Sequence, residues 1–121
     1  MKLKVHAYHG CGTCRKALKF LETHGIPHEV IPIRERPPSR AALKRALQDA
    51  GGLRQLCNTS GREYRRLGLK ERLAEMSEAE VLDLLAGNGN LIKRPFVVAG
   101  REAWAGFNEA GWRARLGLPP E

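Results

Sequence analysis

Apolar and polar residues alternate from Leu3 to Tyr8, the two-residue period of a half-buried strand. From Cys14 the period changes. Cys14, Ala17, Leu18 and Leu21 fall on one face of a helix, which Gly25 and Ile26-Pro27 bring to a stop. Val30 to Ile33 reads as a second short strand, at an edge because Pro32 cannot donate to a ladder. Strand, helix and strand within about thirty residues predict a βαβ unit whose strands run parallel.

After a charged connector from Arg34 to Pro38, Ser39 is placed to cap a helix with Leu43, Ala46, Leu47 and Ala50 on its apolar face, ended by Gly51-Gly52. Leu53, Leu56 and Cys57 suggest one further helical turn with a buried Cys57, and Asn58-Thr59-Ser60-Gly61 reads as a turn. Tyr64, Leu67 and Leu69 carry only weak helical spacing. Ser77 with Glu80 three residues on is a capping box, and Met76 with Val81 has the spacing of a hydrophobic staple. Phe96 to Ala99 reads as a buried strand that turns back through Gly100-Arg101 into Ala103-Trp104-Ala105. Asn108 then caps a last helix carrying Trp112 and Leu116. The order β-α-β, helical insert, β-β-α is a thioredoxin-like α/β arrangement with a mixed four-stranded sheet. It predicts one domain over residues 1–121, with an insert at about 34–90.

Charge changes the picture in one region. Residues 34–72 hold eleven Lys and Arg against four acids, so they supply seven of the eight net positive charges of the 121-residue chain. A basic middle fits an anionic substrate, an acidic protein partner or nucleic acid; an arginine-rich solvated face is the plainer alternative. No helix-turn-helix or aromatic-interleaved basic strand points to direct nucleic-acid binding. No basic-then-apolar leader and no apolar run near ~18 residues is present, so no membrane partner and a cytoplasmic location are expected. A monomer is expected.

The candidate chemistry sits between the first strand and the first helix. Cys11-Gly12-Thr13-Cys14-Arg15 is a C-x-x-C at a predicted helix start, where unpaired N–H groups and the helix dipole favour a thiolate. Cys11, the outer cysteine, is the expected nucleophile and Cys14 the resolving thiol. Gly12 and Thr13 leave the backbone open to a substrate, and Arg15 adds positive charge. A merely structural pair, or half of a metal site, is the alternative; the latter needs further ligands at zinc spacing that the chain does not show. No metal and no resident cofactor are expected. Arg94-Pro95, at the entry to the third strand, is where thioredoxin-like folds place a cis proline facing the reactive thiol. It would hold Arg94 beside Cys11 as an oxyanion or thiolate partner, unless it is an ordinary surface arginine before a trans proline.

Together, Cys11 to Lys16, the Asn58-to-Gly61 turn followed by Tyr64, Met76-Ser77, and Leu91 to Pro95 through Gly106-Phe107-Asn108-Glu109 resemble the arsenate reductase (ArsC)-like family, which includes the Spx and MgsR transcription regulators. The resemblance runs from about residue 3 to residue 116. It implies that Cys11 is the attacking cysteine, with glutathione and glutaredoxin, or thioredoxin, as the electron donor. It also implies an oxyanion site built on three arginines, of which only Arg94 is matched; the other positions fall on Asn58 and near Gly106-Phe107. Losing two charge-assisted contacts, each worth roughly 1.5–3 kcal/mol, removes much of the affinity such a site has for arsenate. Arg62, Arg65 and Arg66 are the candidates to compensate. The complete C-x-x-C is instead the pattern of Spx, which implies a disulfide switch and binding to the RNA polymerase α subunit.

Overall fold

In a computed structural model, residues 2–121 are described. Strand β1 (Leu3–Ala7) pairs in parallel with β2 (His28–Pro32) and antiparallel with β3 (Phe96–Ala99). β3 pairs antiparallel with β4 (Glu102–Ala105), giving the order β2-β1-β3-β4. The sheet is mixed and four-stranded, as the pattern predicts, and β2 lies at its edge with Pro32 at the strand end. β2 begins two residues earlier than its apolar run, at His28. Register with β1 decides this: Leu3 is opposite His28, and the Leu3 N–H donates to the Pro27 carbonyl at 3.1 Å.

Alternation along the strands separates two cores. Leu3, Val5, Ala7, Val97 and Trp104 face helices α1 (Gly12–Thr23) and α6 (Glu109–Leu116), burying Cys14, Ala17, Phe20, Leu21 and Trp112. Phe96 and Ala103 face the other way, against the insert helices α2 (Arg40–Ala50) and α5 (Glu78–Ala86). This is the helix-on-both-faces layering of a thioredoxin-like fold.

Local signals set the helix starts. Ser39 Oγ accepts from the Ala42 N–H, Asn108 Oδ1 from the Gly111 N–H, and Ser77 and Glu80 form the reciprocal capping box. The weak pattern at 62–72 resolves into two short helices, α3 (Arg62–Arg66) and α4 (Leu69–Arg72), pinned by buried Tyr64 and Leu69. Cys57 is buried as expected but does not sit on a helical face. It leaves a 3-10 turn over Leu53–Leu56 in extended conformation and bridges to Ile92.

That bridge ties the insert to the approach of β3. The Lys93 N–H donates to the Leu56 carbonyl and the Asn58 N–H to the Leu91 carbonyl, each at 2.8 Å. Gly89 makes the approach possible: a Cβ there would collide with the Ile33 carbonyl.

Much of the basic surplus is tied down on this framework. Arg40 pairs with Asp83, Lys44 with Glu78 and Arg66 with Glu63, while Arg45, Arg65 and Arg72 donate to backbone carbonyls. No helix among the described residues is long and apolar enough to cross a membrane.

Candidate active site at the β1–α1 junction

β1 ends at Ala7, and the chain turns through Tyr8-His9-Gly10 into α1. The turn is closed by the Cys11 N–H donating to the Tyr8 carbonyl at 3.0 Å. Cys11 is the N-cap of α1, with extended backbone, and its carbonyl accepts the first helical hydrogen bond from Arg15 at 3.1 Å. Its side chain makes no cap hydrogen bond of full geometry. The thiol is therefore free to face outward while the first-turn N–H groups lie behind it.

Cys14, one turn on, is fully buried against Ala17 and Leu21; all three cysteines of the chain are free thiols. The environments of the two motif thiols push them in opposite directions. At Cys11 partial burial works against ionisation. It is outweighed by the Cys14 N–H and thiol and by the hydrogen bond and charge of the Arg94 guanidinium, so its pKa is lowered. At Cys14 burial dominates and, with the neighbouring Cys11 also raising it, pushes the thiol up to about 11.

Arg94 arrives on the approach to β3, the antiparallel neighbour of β1. The Arg94-Pro95 peptide is cis, and the Arg94 guanidinium carbon lies 4.9 Å from the centre of the Tyr8 ring. The Gly106 N–H donates to the Pro95 carbonyl at 2.7 Å, and the Gly106 carbonyl accepts from Trp112 Nε1 at 3.0 Å. This fixes the loop after β4 against the cis-proline turn.

Between these walls lies an open cleft of about 610 Å³. Cys11 and Thr13 form one side, and Arg54 with Cys57 to Ser60 face them from the insert. Lys93, Arg94, Gly106 and Phe107 close the rest. Three cations line it and no carboxylate does.

Of the residues singled out from sequence, the cleft brings together Cys11, Thr13 and Arg94, with Cys14 behind. Gly12 and Pro95 stand outside its lining. So does Arg15, which turns away to donate from Nη1 to the His9 carbonyl at 3.0 Å. The positions left without arginine, Asn58 and Gly106-Phe107, are on the cleft wall. Arg65 and Arg66 are tied elsewhere, to Ser60 and Glu63, and do not compensate there.

The cations sequence reasoning passed over are Arg54 and Lys93. Lys93 had a visible signal, its place directly before Arg94-Pro95. Arg54 had none, because only the Cys57–Ile92 bridge brings its segment across. Cys57 completes this wall as an inert thiol. Burial pushes it up to about 11, and its S–H donates to the Leu53 carbonyl at 3.4 Å.

The chain is similar to several known proteins. The uncharacterized protein YusI of Bacillus subtilis (strain 168) is 49% identical over 110 residues, covering 90% of this chain and 93% of its own. An arsenate reductase of Rhizobium meliloti (strain 1021) is 37% identical over 100 residues, 80% of this chain and 70% of its own. The global transcriptional regulator Spx of Streptococcus mutans is 29% identical over 107 residues, 88% of this chain and 77% of its own. A crystal structure of an ArsC family related protein from Bacteroides fragilis superposes with a TM-score of 0.86 at 36% identity, covering 94% of this chain and 97% of that one. The ArsC family model matches residues 6–115, and the chain belongs to the ArsC family.

Proposed function

We propose that the protein is a thiol–disulfide oxidoreductase of arsenate-reductase-like type, with Cys11 as nucleophile and Cys14 as resolving thiol. The observation that carries this reading is the asymmetry of the pair. The thiol on the cleft wall is stabilised as thiolate beside Arg94, whereas the buried one keeps its proton.

In the first step the Cys11 thiolate attacks one sulfur of a substrate disulfide. A Cys11–substrate S–S bond forms, and the second substrate sulfur leaves as a thiolate. Cys14 then attacks Cys11 Sγ, its proton passing to the departing substrate thiolate, and a Cys11–Cys14 disulfide remains. Two electrons from glutathione with glutaredoxin, or from thioredoxin, return both thiols. A small oxyanion is the alternative electrophile for Cys11. Against it stands the cleft's lack of arginine at Asn58 and Gly106-Phe107.

The test is turnover of a model disulfide and of arsenate by the parent, Cys11→Ser and Cys14→Ser with each electron donor. Activity abolished by Cys11→Ser, and a mixed disulfide trapped by Cys14→Ser, are the expected results. No reduction of either substrate by the parent would remove the enzyme reading.

A second reading, a redox-sensing regulator that binds RNA polymerase, is favoured by the likeness to Spx and by the exposed arginines of α3. It requires co-purification with RNA polymerase that responds to the thiol state and is lost on charge reversal at Arg62, Arg65 and Arg66. Association indifferent to both would sink it.

A further inference from the structure

Tyr8, immediately before the motif, carries two guanidinium groups. The Arg34 and Arg94 guanidinium carbons each lie 4.9 Å from its ring centre. Arg34 follows β2 and Arg94 precedes β3, so two separate parts of the chain deliver like charges to one aromatic ring. A second cavity of about 470 Å³ opens there, and Arg62 of α3 and the amides of Asn58 and Asn90 also line it.

Among the described residues, none of Arg34, Arg62 and Arg94 has a carboxylate within ion-pair distance. Glu63, the one acid on this wall, is bonded to Arg66 at 2.7 Å. Seven other cations of the basic insert pair with acids or donate to carbonyls, whereas Arg34 and Arg62 join Arg94 in facing one space. The Tyr8 ring offsets part of their mutual repulsion through its π face, but a ring does not use guanidinium N–H donors. Forked donors converging from several directions fit the oxygens of a tetrahedral anion.

The geometry points to a second anion site, distinct from the thiol cleft, in which Arg34, Arg62 and Arg94 around Tyr8 bind a phosphate group and, through the shared Arg94, weaken its hold on Cys11. Of these two cavities, Arg94 and the uncharged Asn58 line both, while Arg54 and Lys93 line the thiol cleft and not the Tyr8 site. An occupant of the second site therefore draws guanidinium donors away from Cys11 and places negative charge near it. The inference concerns binding and Cys11 reactivity, and does not depend on which reaction Cys11 performs.

The test uses the full reduced chain at constant ionic strength, with chloride replaced stepwise by inorganic phosphate. Arginine Nε–H resonances are followed by NMR, and Cys11 reactivity by iodoacetamide alkylation. A parallel arm with a phosphate monoester, glycerol 3-phosphate, separates a free ion from a phosphorylated metabolite as the source of the group. Saturable shifts of Arg34, Arg62 and Arg94 and slower alkylation on saturation are expected. Arg34→Gln and Arg62→Gln should each weaken phosphate at least about threefold and abolish the slowing together, as befits partly exposed charge-assisted contacts. Arg54 lines the thiol cleft and not the Tyr8 site, so Arg54→Gln should leave phosphate affinity unchanged.

The proposal is overturned if no saturation occurs up to about 50 mM phosphate. It is equally overturned if alkylation ignores bound phosphate, or if Arg54→Gln abolishes the effect while Arg34→Gln and Arg62→Gln do not, which would place the ion in the thiol cleft.

Discussion

Replacing Arg94 by glutamine removes a charge from beside Cys11 while keeping a side chain that can still donate a hydrogen bond. Arg94 favours the Cys11 thiolate by hydrogen bond and by charge, against the opposing effect of partial burial. An ionic hydrogen bond contributes about 1.5–3 kcal/mol, and a half-exposed partner in a wide cleft belongs at the low end. About 1.4 kcal/mol is a tenfold change in the ratio of thiolate to thiol. The thiolate that remains is more basic and so more nucleophilic. With a Brønsted coefficient of about 0.4–0.5, this returns roughly threefold of the tenfold. Arg94→Gln should therefore slow iodoacetamide alkylation of Cys11 at pH 6 by about three- to fourfold.

The same reasoning inverts at high pH. Once Cys11 is ionised in both proteins only nucleophilicity differs, and the variant should be the faster by roughly threefold. Crossing pH–rate profiles, recorded in phosphate-free buffer with unreactive Cys11→Ser as the blank, are the signature. Superimposed profiles would show that Arg94 does not tune the thiol. A uniform slowing at every pH would mean that it only orients Cys11 or shapes the cleft.

Three further outcomes are expected. Cys57, with its pKa raised from 9.0 to about 11 by burial, favours the folded state fully below pH 9 and loses that contribution as pH rises through about 11. The two-unit difference corresponds to about 2–3 kcal/mol, so urea denaturation of Cys57→Ala should show a flatter decline from pH 8.5 to 11 than the parent; equal slopes would refute it. Gly89→Ala places a methyl group against the backbone of Ile33 and Arg34, which cannot move aside as a flexible side chain would. A cost of about 1–3 kcal/mol, read as a melting temperature lowered by roughly 4–12 °C, is expected, and an unchanged melting curve would contradict the close packing. Trp112→Phe keeps most of the aromatic packing but leaves the Gly106 carbonyl without its donor. Equilibrium unfolding should report about 1–3 kcal/mol lost, and less than about 0.5 kcal/mol would mean that this bond does not anchor the loop.

What could be read from the sequence was what local pattern controls. The two-residue alternation of β1, the apolar stripe of α1, the Ser77–Glu80 box and the β3–β4 turn are each decided within about eight residues, so their residue order carries the information. Cys11 at the helix start follows from the same local evidence. The far wall of the cleft does not. Arg54 and Asn58 reach it because Cys57 bridges Ile92, thirty-five positions along the chain, and neither residue carries a mark of that pairing. Arg15 shows the converse limit. Adjacency to Cys14 suggested a role at the thiol, yet an α-helical step of about 100° per residue turns its side chain out of the cleft, and the His9 carbonyl holds it there.

The distribution of arginine also bears on which electrophile suits Cys11. A tetrahedral oxyanion gains most from forked donors fixed on several sides. In this cleft Arg94 supplies one fork, Asn58 and Phe107 supply no charge, and exposed Lys93 supplies a point charge on a flexible stem. Arg54 is the second fork, but one of its ends donates to the Lys70 carbonyl at 3.4 Å. Such a wall attracts negative charge without gripping one small ion. It suits a larger acidic disulfide, whose carboxylates can spread over Arg54 and Lys93 while one of its sulfurs meets Cys11. The two readings of the electrophile therefore diverge at Lys93. Lys93→Gln should raise KM for an acidic disulfide at least about twofold with kcat little changed, and lose that effect in high salt, because a screened surface charge contributes to encounter rather than to the reacting geometry. A fall in kcat with KM unchanged would instead place Lys93 among the groups that stabilise charge during the reaction, and would return the cleft to the oxyanion reading.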